Sequence, residues 1–137
     1  MKPESLVPGY NFVESMLLDL THENRLRTVV LTLDYDWEIP DRKPRNERPW
    51  QPVLVKLQGC RKFLYEAQTG FVENHLTPPD PVLTVISWGD ATEFPTWKDL
   101  CLDLGIAETA VYFQFTGPGG FLDLVAICRH IVVEPQF

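Results

Sequence analysis

The sequence has little of what usually betrays a function. Nowhere in its 137 residues does an apolar run approach the ~18–20 residues that cross a bilayer. The opening stretch, Met1 to Gly9, is interrupted by two prolines and has no apolar segment of the kind a secretory leader needs, so a cytoplasmic protein with no membrane contact is predicted. An excess of basic charge is also missing. Twelve Lys and Arg face nineteen Asp and Glu, a net charge of −7, which argues against nucleic acid as the partner because such binders need a basic footprint.

Cysteine is scarce. Cys60, Cys101 and Cys128 are odd in number and widely spaced, which is neither a disulfide framework nor a zinc signature. Each sits beside apolar residues and reads as a reduced, mostly buried thiol. Cys128 and His130 would face the same way on a strand, the minimum for a nucleophile and its base, but such a pair is common by chance. No Gly-x-Ser-x-Gly elbow surrounds Ser5, Ser15 or Ser87. His22, His75 and His130 form no His-x-x-x-His pair, and His22 and His75 read as loop residues. Gly117-Pro118-Gly119-Gly120 reads as a hairpin turn, not a phosphate cradle, because a strand follows it and the proline removes an N–H donor. No catalytic residue, metal or cofactor is expected.

What is present is a strand rhythm. Residues 27–39 alternate, with Val29, Leu31, Leu33, Tyr35, Trp37 and Ile39 on one face and Thr28, Thr32, Asp34, Asp36 and Glu38 on the other. A second run, 53–67, puts Val53, Val55 and Leu57 opposite Leu54, Lys56 and Gln58, with Gly59 marking a bulge or bend. If the two runs pair antiparallel, Lys56 could offset the acidic row. Residues 82–88 form a third strand ended by Gly89-Asp90. Residues 12–20 fit either a strand or a short helix, followed by a polar turn at 21–25. Residues 110–115 and 121–134 form a closing hairpin around a glycine-rich turn. Over 96–104, Trp97, Leu100, Cys101 and Leu104 recur at helical spacing between an N-capping Thr96 and a terminal Gly105. Leu100, Leu102 and Leu104 also alternate, so a strand competes with the favoured helix. The sum is one domain, 1–137, mainly β: an antiparallel β-sandwich or partly open barrel with one or two short helices.

Charge is unevenly spread. Between Pro40 and Lys62 seven basic residues accompany two acids, so the rest of the chain is strongly acidic. Residues 40–52 carry four prolines and no apolar period, which predicts an exposed, mobile loop. Two candidate binding surfaces follow. One is the acidic row Asp34, Asp36 and Glu38. The other is the basic loop residues Arg42, Lys43, Arg45 and Arg48 with Trp50. Each also has a plain reading as a solvated surface, and the row is too sparse in oxygen ligands for a hard cation.

The segment Asn11 to Asp19, the run Arg27 to Leu33 and the closing strands around Tyr112–Phe115, Leu122–Leu124 and Ile131–Val133 together resemble small bacterial β-rich proteins of the polymorphic-toxin immunity type. That resemblance covers about half the chain and departs at the basic insertion 40–52. It implies a non-enzymatic, acidic, cytoplasmic binding protein. The expectation is therefore a non-catalytic domain that binds a protein partner, with charge complementarity speeding association and exposed edge strands able to pair with a second copy. The competing expectation is a small-molecule barrel or an undescribed enzyme with a cavity lined by Phe113, Phe115 and Trp88.

Overall fold

The structure, a computed structural model, describes residues 6–35, 52–69, 83–117 and 120–136. Its strands are β1 (Met16–Glu23), β2 (Thr28–Asp34), β3 (Pro52–Gln58), β4 (Lys62–Thr69), β5 (Thr84–Asp90), β6 (Thr109–Gly117), β7 (Gly120–Cys128) and β8 (His130–Pro135). They form one antiparallel eight-stranded sheet in the order β4-β7-β6-β5-β1-β2-β3-β8. The mainly β, partly open architecture agrees with the sequence rhythm, and the sheet is not closed, with β4 and β8 at its edges.

The sheet coils around the larger of two apolar clusters. Val29, Leu31 and Leu33 of β2 and Val53, Val55 and Leu57 of β3 share that core with Trp88, Phe113, Phe115, Leu124 and Ala126 from the other half. Coiling is achieved at a corner. Gly59, at φ +68°, turns the chain from β3 into β4, and Arg129 does the same between β7 and β8. Hydrogen bonding carries through the bend: Arg129 N donates to Gln58 O at 2.9 Å and Arg61 N to Ile127 O at 2.9 Å. The β3–β8 ladder thus passes into the β4–β7 ladder, which brings the two ends of the sheet together. The single long closing strand expected over 121–134 is therefore two strands, and 53–67 is likewise two, bent where Gly59 had marked it.

Other expectations are sharpened or corrected. The ambiguous 12–20 is strand from Met16 onward, and the strand runs through His22 to Glu23, so His22 is not a loop residue. Lys56 pairs with Val30, four positions along β2 from Asp34, and its ammonium meets Glu134 Oε2 at 3.2 Å. β5 continues through Gly89-Asp90. Residues 96–104 form neither the expected α-helix nor a strand. Thr96 and Trp97 end the second of two 3-10 turns (Ala91–Glu93 and Pro95–Trp97), and further i→i−3 bonds continue it, such as Leu104 N to Cys101 O at 3.2 Å. The helical spacing was real even so. Trp97 and Cys101 are buried, Leu100 and Leu104 half-buried, and together they cover Ala110, Val125 and Ile127 on the outer face of β6 and β7. Thr96 does not cap a helix, because Pro95 opens the turn and Phe94 stands at the capping position without a side-chain bond.

The β1–β2 hairpin stores strain. Asn24, Arg25 and Leu26 succeed one another at φ +52°, +56° and +73°. Left-handed backbone costs an L-residue about 1–2 kcal/mol, least for Asn. Leu26 is exposed, so its side chain contributes little packing. Leu26→Gly relieves that strain against the ~0.5–1 kcal/mol entropic cost of glycine. The expected result is a net gain of about 0.5–1 kcal/mol, read as a melting temperature a few degrees higher; an unchanged or lower value would show that the Leu26 side chain is needed.

Candidate functional site

Of the residues singled out for binding, only Asp34 lies within the described part. Asp36, Glu38, Arg42, Lys43, Arg45, Arg48 and Trp50 fall outside the described residues, as does His75. Asp34 is 2% exposed, so it does not stand on an open acidic face. Thr28 and Val30, on the same side of β2, are buried too. Alternation sorts side chains onto two faces, but it does not say that the polar face meets water. β2 is flanked by full ladders to β1 and β3, and both of its faces are covered.

The thiols are placed against chemistry. Burial is the first cause that lifts all three above the ordinary thiol value, and it pushes Cys128 up to about 12. A reactive cysteine needs the opposite shift. Cys128 is wholly buried while His130 is exposed beyond the Arg129 break, so the two do not act as nucleophile and base. Among the described residues no group of three or more His, Cys, Asp or Glu could hold a metal. The aromatics proposed to line a cavity pack on one another instead. Trp88 and Phe113 stack at 5.8 Å, and Phe113 and Phe115 at 6.1 Å.

The polar residues that do converge gather at the corner. A cleft of about 630 Å³ is lined by Arg27, Gly59, Cys60, Arg61, Glu108 and Arg129. Arg27 arrives from the end of the β1–β2 hairpin, Arg61 from the bend into β4, and Arg129 from the bend into β8. The backbone sets this: Cys60 N donates to Arg27 O at 2.8 Å, tying two of the elements together. A second cleft, of about 560 Å³, shares Arg129 and is lined also by Leu6, Gln58, Thr109, His130, Ile131 and Val132.

Arg61 anchors the neighbouring loop. Its Nε and Nη2 donate to the two oxygens of Glu108, both at 2.8 Å, and its Nη1 donates to Asp103 Oδ2 at 3.1 Å. Lys62 Nζ also reaches Asp103 Oδ2 at 3.0 Å. Glu108 in turn accepts from Gly105 N at 2.9 Å. The Arg61 guanidinium, helped by the Gly105 N–H, holds the Glu108 carboxyl down to about 2, and Lys62 with Arg61 lowers Asp103. A depressed carboxyl stabilises the fold above the ordinary carboxylate range and loses that contribution as pH falls from about 4.5 toward 2. Acid titration of the melting temperature is expected to be shallower in Glu108→Gln than in the parent over that window; parallel curves would contradict the pairing.

The loop pinned in this way carries two large aliphatic side chains into solvent, Leu102 (77% exposed) and Ile106 (fully exposed). None of this was visible in sequence. Arg27, Arg61 and Arg129 are far apart along the chain, and of the three only Arg61 belongs to the basic stretch between Pro40 and Lys62 that composition highlights. The nearest local signal was Gly59, read as a bend. Among the described residues no helix is long and apolar enough to cross a membrane. No protein-family model matches the sequence, and no curated protein matches it.

Proposed function

We propose that this chain is a non-catalytic domain that binds a protein partner, and that the contact centres on loop 98–108. One observation carries the reading: Leu102 and Ile106 project from a turn that Arg61, Lys62 and the Glu108–Gly105 bond hold in place. An aliphatic side chain on a loose loop loses conformational freedom when it docks. On a turn already fixed that cost is reduced, so more of the burial energy goes into affinity. The raised thiols support the non-catalytic side of the proposal. Its finer form, following the resemblance to immunity proteins, is a cytoplasmic bacterial protein that neutralises a toxin by binding it.

The test is affinity capture with the parent chain and with Leu102→Asp/Ile106→Asp. Burying each side chain contributes about 1.5–3 kcal/mol, so the double variant should bind at least ~100-fold more weakly. Both positions are exposed, so its melting temperature should stay close to the parent's. Recovery of the same proteins by both chains would remove this loop from the contact.

A further inference from the structure

We propose that the corner cleft is a binding site for a phosphate group carried on a small molecule, a role separate from the partner contact on loop 98–108. Three guanidiniums and one carboxylate line it, a net charge of +2 in a chain whose overall charge is −7. The carboxylate, Glu108, is already taken by the Arg61 fork. Arg27 and Arg129 are different: among the described residues neither side chain makes a hydrogen bond or ion pair. Like charges that share a cleft repel, and Arg61 alone of the three has its charge offset by direct carboxylate contact. An incoming anion would relieve that repulsion.

The geometry favours phosphate over carboxylate. A carboxylate has two oxygens, and one guanidinium fork satisfies them. Two free forks offer ten N–H donors, which suits a tetrahedral dianion with three terminal oxygens. The lining charge of +2 also matches a dianion. Gly59 keeps one wall fixed: a Cβ there would lie 3.2–3.4 Å from Cβ, Cγ and Cδ of Arg129, so the aliphatic stem of Arg129 runs directly over the glycine. The backbone takes no part at Cys60 and Arg61, whose N–H groups are committed to Arg27 O and Ile127 O. At about 630 Å³ the cleft exceeds a bare phosphate and falls in the range of small-molecule sites.

Ribose 5-phosphate is the probe, titrated calorimetrically into the full chain against ribose and glutarate at matched ionic strength. Saturable binding is expected for the phosphate ester only. It should tighten as pH rises through about 6, where the second phosphate proton leaves while the guanidiniums stay charged. Arg27→Gln and Arg129→Gln should each weaken it about tenfold or more, while Arg25→Gln, outside the cleft, leaves it unchanged. Circular dichroism and melting curves confirm that each variant is folded. No saturable binding by the parent chain overturns the site. Equal binding of glutarate overturns the phosphate assignment, and undiminished binding by both arginine variants overturns the location.

Discussion

Phe12→Ala should cost this protein about 3–5 kcal/mol, a large share of the ~5–15 kcal/mol that holds a domain of this size together. Phe12 belongs to no strand, yet it is wholly buried. Its ring lies 4.7 Å from Trp88, 5.7 Å from Tyr10, 5.8 Å from Tyr35 and 6.0 Å from Phe113. Its neighbours fix the entry of the segment: Asn11 N donates to the Tyr35 hydroxyl at 3.0 Å, and Trp88 Nε1 donates to Asn11 Oδ1 at 3.4 Å. Truncating the ring leaves a cavity among four rigid aromatics that cannot collapse into it. The melting temperature should fall on the order of 10–20 °C. Val13→Ala, one position along and partly exposed, should change stability by no more than ~0.5 kcal/mol. A loss of under ~1 kcal/mol for Phe12→Ala would mean that residues 7–15 are not part of the core.

The contrast between Phe12 and Val29 explains what the sequence made legible. Val29, Leu31 and Leu33 announce themselves by period: every second residue is apolar, and the pleat sends them to one side. The same holds for Val53, Val55 and Leu57, so β2 and β3 could be read in advance, while their antiparallel pairing was only one possibility until the structure gave it. Phe12 has no period to betray it, because its burial depends on where Tyr35, Trp88 and Phe113 arrive from elsewhere in the chain. Loop 96–104 shows the same division. Trp97 and Cys101 were recognisable as inward-facing, but Pro95 and the 3-10 turns decided the backbone, and spacing cannot distinguish a full α-helix from a coil of tighter turns. Asp34 failed for a different reason. Its face was read correctly and its exposure was not, since exposure depends on what lies over the strand.

The candidate site was the least legible part. A cleft made from Arg27, Arg61 and Arg129 exists only because two bends fall side by side; Arg27 and Arg129 are unremarkable in their own stretches of sequence, and Arg61 is one of seven basic residues between Pro40 and Lys62 with nothing to single it out. The same corner links the two proposed roles. Arg61 lines the cleft and also clamps Glu108 and Asp103, so it couples the position of the exposed loop to the shape of the arginine cleft. Substituting Arg61 would therefore disturb both and separate neither, which is why the tests above leave it in place and act on Ile106, Arg27 and Arg129.

Alkali should unfold this protein, and Cys128 should set much of that sensitivity. Cys128 is wholly buried, and desolvation, with smaller contributions from Cys60 and Glu108, pushes its thiol up to about 12. In the unfolded chain the same thiol releases its proton near ~8.5. Between those values the unfolded state binds fewer protons than the folded state, so stability falls as pH rises; below ~8.5 the contribution is fully intact. The slope approaches ~1.4 kcal/mol per pH unit, so about 3 kcal/mol is lost by pH ~10.5. Tyr65, raised to about 12 chiefly by burial, acts the same way, but only above its ordinary value near ~10 and more weakly because its ring is partly exposed. The informative quantity is the difference between two chains that share every other titrating group. Urea midpoints of the parent and of Cys128→Ala, followed from pH 7 to about 11, should diverge in slope by about 1 kcal/mol per unit above pH ~9, even though the variant starts less stable from its cavity. In the folded parent at pH 8, a thiol reagent should label Cys128 only as fast as the chain opens. Immediate labelling of Cys128, or identical alkaline slopes in the two chains, would show that the corner admits water and that the thiol is not sealed in the core.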